Sequence, residues 1–477
     1  MNSIATSSLF LLCLFFLFLS ACGGGNNNTP GELTPQNKPQ SLILTLDDDI
    51  YAPRISSNNL HMAVATWRQN DSVRDRLAVY ANVFDGTSWG DNTLIDASSE
   101  QDATLIQTAI NSSGQAIVSW VQWDSVNTRY NIWANLYTPS TGWLSAPQQI
   151  NISTEGVTLH PNVAINDSGN AIAIWSSTQT NINRSQIFVR HYVSGSWSGT
   201  ETQIGLGEAY TPQPQIQLNN DNTALAVWDQ RSNGWVNIYN NTFNGTTWAV
   251  ASTIENNSNG DASAPQIAAN SLGNVHVIWH QPDGENKQIW HNHYTHETGL
   301  WSTAQRVDAE DEESDARFPM IALDDTDNAL AVWLQPDPEE EKESIWSNHF
   351  SVTDGWGEAT LIEANDTNHA YAPQVIYTQS GQGLASWIQM PKDLQDNKIM
   401  INRFNPDSNT WAENEIFCHP QNHFTQAPQL SNNSSKYALA AWEYSGNQDY
   451  DCDTQVDEDD KQTTPDTPNH ITIDWIQ

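Results

Sequence analysis

The chain has 477 residues, 56 of them acidic and 18 basic, for a net charge of −38. A field of that sign repels phosphate, which excludes nucleic acid and anionic membrane surfaces as direct partners. The charge reads as solubility in a salty or exposed milieu, and it admits divalent cations and cationic proteins.

The first element is an apolar run at residues 9–19, LFLLCLFFLFL, followed by Leu19-Ser20-Ala21-Cys22. It is too short to span a bilayer and has the length of a signal-peptide core. Run and tetrapeptide together resemble a bacterial lipoprotein signal with its lipobox, although no Lys or Arg precedes the run. The resemblance implies that residues 1–21 are removed and that Cys22 becomes a lipidated (palmitate-bearing) N-terminus. It also implies that the lipid anchors the chain to a membrane, with Gly23 compatible with the outer membrane. Residues 22–40, rich in Gly, Asn and Pro, then form a flexible tether. Cys13 leaves with the signal. Cys418 and Cys452 remain in an oxidising compartment, where a disulfide between them is expected.

From residue 41 to 477 one passage is written eight times. Its mark is an apolar run closing on tryptophan: Trp67, Trp120, Trp175, Trp228, Trp279, Trp333, Trp387 and Trp442. A lead-in precedes the run, with proline in every copy but the second, at Pro53, Pro161, Pro214, Pro265, Pro319, Pro373 and Pro428, and proline at a strand start costs no ladder bond. After the run comes an aromatic-rich strand such as NIWANLY (131–137), then a turn with a second tryptophan, then a short apolar strand. In AIAIW, Ala171, Ala173 and Trp175 face one way and Ile172 and Ile174 the other, the period of a strand. Turn residues such as Asp85-Gly86 tolerate positive φ and suit hairpins. No helix-period segment follows residue 20. Tandem four-stranded units of this length predict an all-β, eight-bladed propeller of antiparallel blades. The eighth copy lacks a fourth strand, and SLILTLDDD (41–49) has the pattern to supply it. The ring is therefore expected to close through the N-terminal strand, which removes free sheet edges.

Candidate sites are sought where the repeat is broken. Blade 8 carries an acidic insert, residues 443–468. Within it Asp449, Asp451, Asp453, Gln455, Asp457 and Asp460 fall at spacings that place oxygen ligands in an EF-hand-type calcium loop. Thr454 stands where glycine is usual and no helix flanks the loop. Two readings stay open, bound calcium as a cofactor or a solvated acidic run. Trp123 and Trp235 lie outside the repeat pattern, in loops after the second strand, and could serve as a sugar or peptide platform. His280, His291, His293 and His296 cluster in blade 5. His291 and His293 share a strand face, a spacing a metal could use, but His191 and His349 hold the place of His293 in other copies, so ordinary packing or surface histidine is the favoured reading. Gln69, Gln122, Gln230, Gln281, Gln335 and Gln389 follow the strand-end tryptophans by two residues. They are expected near one mouth, bonded to loop backbone, with glycan binding as the sharper option.

The elements DGTSW (85–89) and NGTTW (244–248) faintly resemble the Asp-box of sialidase-type propellers, but lack its flanking serine and aspartate. Arg54 stands where other copies have Gln215, Gln266, Gln374 and Gln429, and reads as repeat variation rather than part of a sialidase arginine cluster. No nucleophile elbow, phosphate loop or HExxH occurs. The expected function is non-enzymatic binding of a protein or glycan through one loop face. A polysaccharide hydrolase or lyase is the alternative, and a structural subunit of an envelope complex the third reading.

Overall fold

The structure is a computed structural model. It describes residues 41–44, 50–96, 101–153, 156–179, 183–208, 210–255, 260–308, 314–337, 342–363, 369–378, 380–390, 397–418, 428–432, 438–445 and 469–476. The chain divides between Lys38 and Pro39, and every described residue lies in the second unit. Among the described residues there is no helix, so none is long and apolar enough to cross a membrane.

The strands form eight antiparallel sheets, seven of them running outward in sequence order and the eighth ending on the N-terminal strand. Blade 1 is Ile50–Ser57, Ala63–Asp71, Arg76–Phe84 and Thr93–Leu94. The inner strands touch one another from blade 1 to blade 8 and back to blade 1, which closes the ring. The chain is an eight-bladed β-propeller.

Alternation explains why the blades stack. In blade 3, Ala171, Ala173 and Trp175 pack against Ile117, Val121 and Ile132 of blade 2. On the other face, Ile172 and Ile174 pack against Ala226 and Trp228 of blade 4. One apolar cluster of this kind fills each gap in the ring. The eight second-strand tryptophans are at most 1 % exposed, so they are the centres of these clusters. Truncating such a residue to alanine costs about 3–5 kcal/mol.

The N-terminal strand Leu42–Leu44 completes blade 8, pairing Leu42 with Ile473, Ile43 with Thr472 and Leu44 with Ile471. The seam is greasy as well as hydrogen-bonded. Leu439, Ile471, Ile473 and Trp475 pack on Ile50, Trp67 and Phe84 of blade 1, with the Trp475 and Phe84 rings 5.0 Å apart.

Two details differ from the sequence reading. The lead-in proline of blade 1 does not start its strand. Pro53 sits inside Ile50–Ser57 at a bulge, where the pairing jumps from Tyr51 to Arg54. The bulge frees Pro53 from the ladder, so its missing N–H costs nothing there. The preceding Ala52 pays for this with φ of 53°, and its N–H is caught by the Glu443 carboxylate of blade 8 at 2.8 Å. The second difference is that several turn tryptophans form a short strand of their own. Trp143, Trp197, Trp301, Trp356 and Trp411 each pair with an aromatic residue near the end of the third strand.

A candidate ligand site at the channel mouth

One residue of each lead-in points into the channel, the residue after the proline in seven blades and the residue after Ile106 in blade 2. In ring order these are Arg54, Gln107, Asn162, Gln215, Gln266, Met320, Gln374 and Gln429, and all line one cavity of about 330 Å³. Inner strands begin opposite the ends of second strands, as Ile50 opposite Gln69. The cavity therefore opens toward the end of the ring that carries the second-to-third-strand turns. Leu105, His160 and Gln213 complete its wall.

The lining is amide-rich, and no carboxylate is among the described residues that form it. Part of the amide capacity of Asn162, Gln215 and Gln266 is spent on the ring. Gln215 Nε2 donates to Pro265 O and to Gln266 Oε1, both at 3.1 Å, and its Oε1 accepts the Ile267 N–H at 3.0 Å. Asn162 Oδ1 accepts the Ile216 N–H at 3.3 Å. Arg54 Nε donates to Ile106 O at 3.3 Å, and burial lowers the guanidinium from its ordinary range. These bonds orient a ring of donors and acceptors toward the channel.

Next to the mouth lies one buried acid. The Tyr210 hydroxyl donates to Asp229 Oδ2 at 3.0 Å and the Gln213 N–H to Asp229 Oδ1 at 3.1 Å. Burial raises Asp229 despite those donors. Burial, with the Asp229 charge second, also raises Tyr210. His160 is lowered by burial.

Trp123 lies within the second strand of blade 2, Ala116–Asp124, and packs edge-on against Tyr130, with ring centroids 4.9 Å apart. Trp235 opens the third strand of blade 4, Trp235–Phe243, and is 49 % exposed. They belong to strands rather than to the loops expected. Blade 3 stands between their blades in the ring, so the two rings do not stack into one platform.

The glutamines after the strand-end tryptophans do not bond to loops through their carbonyl ends. Gln69, Gln122, Gln230, Gln281, Gln335 and Gln389 each accept the indole N–H of the tryptophan two residues before, at 2.7–3.4 Å. A buried indole N–H needs an acceptor, and the strand period places position i+2 on the same face. The amide group of Gln122 does reach backbone, at Gln101 O.

Of the blade 5 histidines, His291 and His293 come together and are joined by His276, which the sequence reading missed. His280 instead meets the Ser263 hydroxyl, and His296 meets Asp221. Cys418 ends the strand Glu415–Cys418. Cys22, Cys452 and the calcium candidates Asp449, Asp451, Asp453, Gln455, Asp457 and Asp460 lie outside the described residues.

No family model and no curated protein matches the chain. Solved structures that resemble it include a polysaccharide lyase of a new family, an ulvan lyase, at a TM-score of 0.44 and 9 % identity, covering 76 % of this chain and 93 % of that one. An α-L-arabinanase from Penicillium chrysogenum matches at 0.38 and 11 %, covering 79 % and 93 %. A sialidase from Streptococcus pneumoniae matches at 0.37 and 10 %, covering 86 % and 69 %. Likeness of this degree bears on neither substrate nor chemistry.

Proposed function

We propose that the chain is a binding propeller that takes a neutral, polyhydroxylated ligand, a glycan, at the amide-ringed channel mouth without transforming it. The supporting observation is the lining. Amides from six of the eight blades offer paired donors and acceptors, and no described carboxylate faces them. Amides match sugar hydroxyls, whereas glycoside hydrolysis needs a pair of acids across the bond. Trp235, half exposed at the same end of the ring, is suited to stack on a sugar face. Lipidation at Cys22 would hold this mouth near an outer membrane, with the disulfide Cys418–Cys452 and calcium in the acidic insert as further parts of the same proposal.

A polysaccharide hydrolase or lyase is the second reading, and the observation favouring it is the Tyr210–Asp229 pair beside the mouth. A carboxyl raised by burial can act as a proton donor. One experiment separates the readings. Residues 39–477 are applied to a glycan array, and each hit is incubated with the protein while reducing ends and unsaturated uronides are assayed. Binding without product, weakened tenfold or more by Gln374→Ala with Gln429→Ala, is the expected result. Product formation lost in Asp229→Asn would replace it with the enzyme reading, and an array without hits would remove the glycan.

A further inference from the structure

The repeat supplies its own reference for blade 5. At the position three residues before the buried tryptophan the other blades carry Val64, Ile117, Ile172, Leu225, Leu330, Leu384 and Leu439, all aliphatic, where blade 5 has His276. Opposite the residue just before the tryptophan, the pairing gives Ala81, Ala134, Val189, Asn240, Ser347, Ile401 and Ile473, and in blade 5 His291. Both imidazoles are at most 1 % exposed. A buried imidazole, in place of an aliphatic side chain at 276 and of an aliphatic or smaller polar one at 291, costs desolvation unless it is used.

These two side chains and His293 bring their ring nitrogens within 4.8 Å of one another. His291 Nε2 and His276 Nδ1 are 2.9 Å apart. The Trp356 indole, which can only donate, lies 3.1 Å from His291 Nδ1. The tautomers follow: His291 carries its proton on Nε2 and gives it to His276 Nδ1, and His276 carries its own on Nε2. That last nitrogen is buried with no hydrogen-bond partner, 3.7 Å from Asp327 Oδ1 of blade 6. Asp327 is itself a departure. It holds φ of 71° in a turn where Gly114, Gly169, Gly273 and Gly381 occupy the same left-handed place. Its Oδ1 accepts from Asn270 Nδ2 at 3.0 Å, the part that Asn222 plays toward Asn166. An asparagine would serve that bond, so the charge points to another use.

We propose that His276, His291 and His293 ligate a divalent transition-metal ion of the zinc class between blades 5 and 6, with Asp327 as the carboxylate that orients His276. Three imidazoles suit zinc, cobalt(II) or nickel(II) and leave a fourth position open. The ion occupies the space between His276 Nδ1 and His291 Nε2, which must part slightly from 2.9 Å to reach ordinary ligand spacing. Burial keeps all three rings neutral, His276 down to about 3, so the ligands need no deprotonation at neutral pH. His291 moves its proton from Nε2 to Nδ1 when it ligates, and the Trp356 contact is given up. The Nε2–H···Nδ1 bond between His291 and His276 is lost with it, so two neutral hydrogen bonds are exchanged for metal–nitrogen bonds from His276 and His291. His276 keeps its Nε2 proton and donates it to Asp327, the outer-shell pairing common around metal-bound histidine. Half-buried His293 and Asp327 give the ion a way in from the surface.

The test loads the purified full chain with zinc or cobalt(II), removes excess by gel filtration with calcium present to mask acidic loops, and counts metal by mass spectrometry. The comparison protein carries His276→Leu and His291→Ala, residues that other blades hold at these positions, so the gap should pack. About one ion per chain, with the visible absorption of tetrahedral cobalt, is expected for the natural protein, and under about a tenth of that for the double variant. Asp327→Asn should weaken zinc affinity tenfold or more. Wild-type loading below about a tenth of an ion, or equal loading of wild type and double variant, overturns the site. An unchanged affinity in Asp327→Asn overturns the assignment of that residue.

Discussion

Replacing Glu255 by glutamine should stabilise the propeller above neutral pH and do nothing in acid. Glu255 follows the fourth strand of blade 4. At the matching places in three other blades an acid is answered by a cation. Arg76 grips Asp96 through two bonds of 2.7 and 3.0 Å, Arg306 meets Asp308 at 3.0 Å, and Lys342 meets Glu363 at 3.2 Å. Glu255 accepts the Ile238 N–H at 3.1 Å, and among the described residues no Lys or Arg pairs with it. Burial pushes it up to about 7 from an ordinary 4.5, with no cation to oppose the rise. A group whose folded value is raised binds its proton more tightly in the native state. Stability then falls as pH rises through the window from about 4.5 to about 7, and the full cost stands above it. The shift corresponds to roughly 3 kcal/mol at about 1.4 kcal/mol per unit, which partial exposure and water reduce to about 2. Glutamine keeps the acceptor for Ile238 and carries no charge. With an unfolding entropy of about 2 cal/mol/K per residue, a propeller of this size should gain about 2 °C at pH 8. Melting of wild type and Glu255→Gln is measured in parallel from pH 4.5 to 8, so that titration of the many other acids cancels in the difference. A difference that stays flat across that range, or is larger in acid, refutes the reasoning.

Two further outcomes test the packing. Removing residues 39–48 deletes the strand paired with Ile471–Ile473 and exposes that edge, so melting should fall and higher oligomers should appear on gel filtration; unchanged melting would sink the closure. Gly205 of blade 3 faces Trp228 of blade 4 so closely that an added Cβ would lie 2.7 Å from the indole. Gly205→Ala should accordingly cost about 1–3 kcal/mol in chemical unfolding, and a neutral result would mean that this gap is not tightly packed.

The fold was legible because a blade's burial is written in strand-period residues that recur. Trp175 and its alternating neighbours declare two buried faces, and only a neighbouring blade on each side can cover them. The missing fourth strand of blade 8 was legible for the same reason, since a sheet edge with Ile471 and Ile473 demands a partner. The bulge at Pro53 was not, because proline at a strand start and proline at a bulge spare the same ladder bond. The amide ring was visible only as single residues, after the lead-in prolines and after Ile106 in blade 2. That those residues point inward depends on register, and the bulge shifts the register.

The glutamines and the histidines show how the same pattern misleads and informs. Gln69 and its counterparts recur, and recurrence marked them as a possible ring of ligand groups. Their partner is the indole two residues back, so they belong to the packing of every gap in which they occur. His293 also recurs, as His191 and His349, and that recurrence argued against a metal. It did so only for His293. His276 and His291 replace side chains that are never histidine elsewhere in the ring, and they do so on adjacent strands at positions two residues out of direct register. Sequence spacing on one strand cannot reveal such a pair, because the distance that joins them runs across the sheet. Departures from a repeat are therefore best compared after the strands are paired, and in this chain that comparison selects the gap between blades 5 and 6.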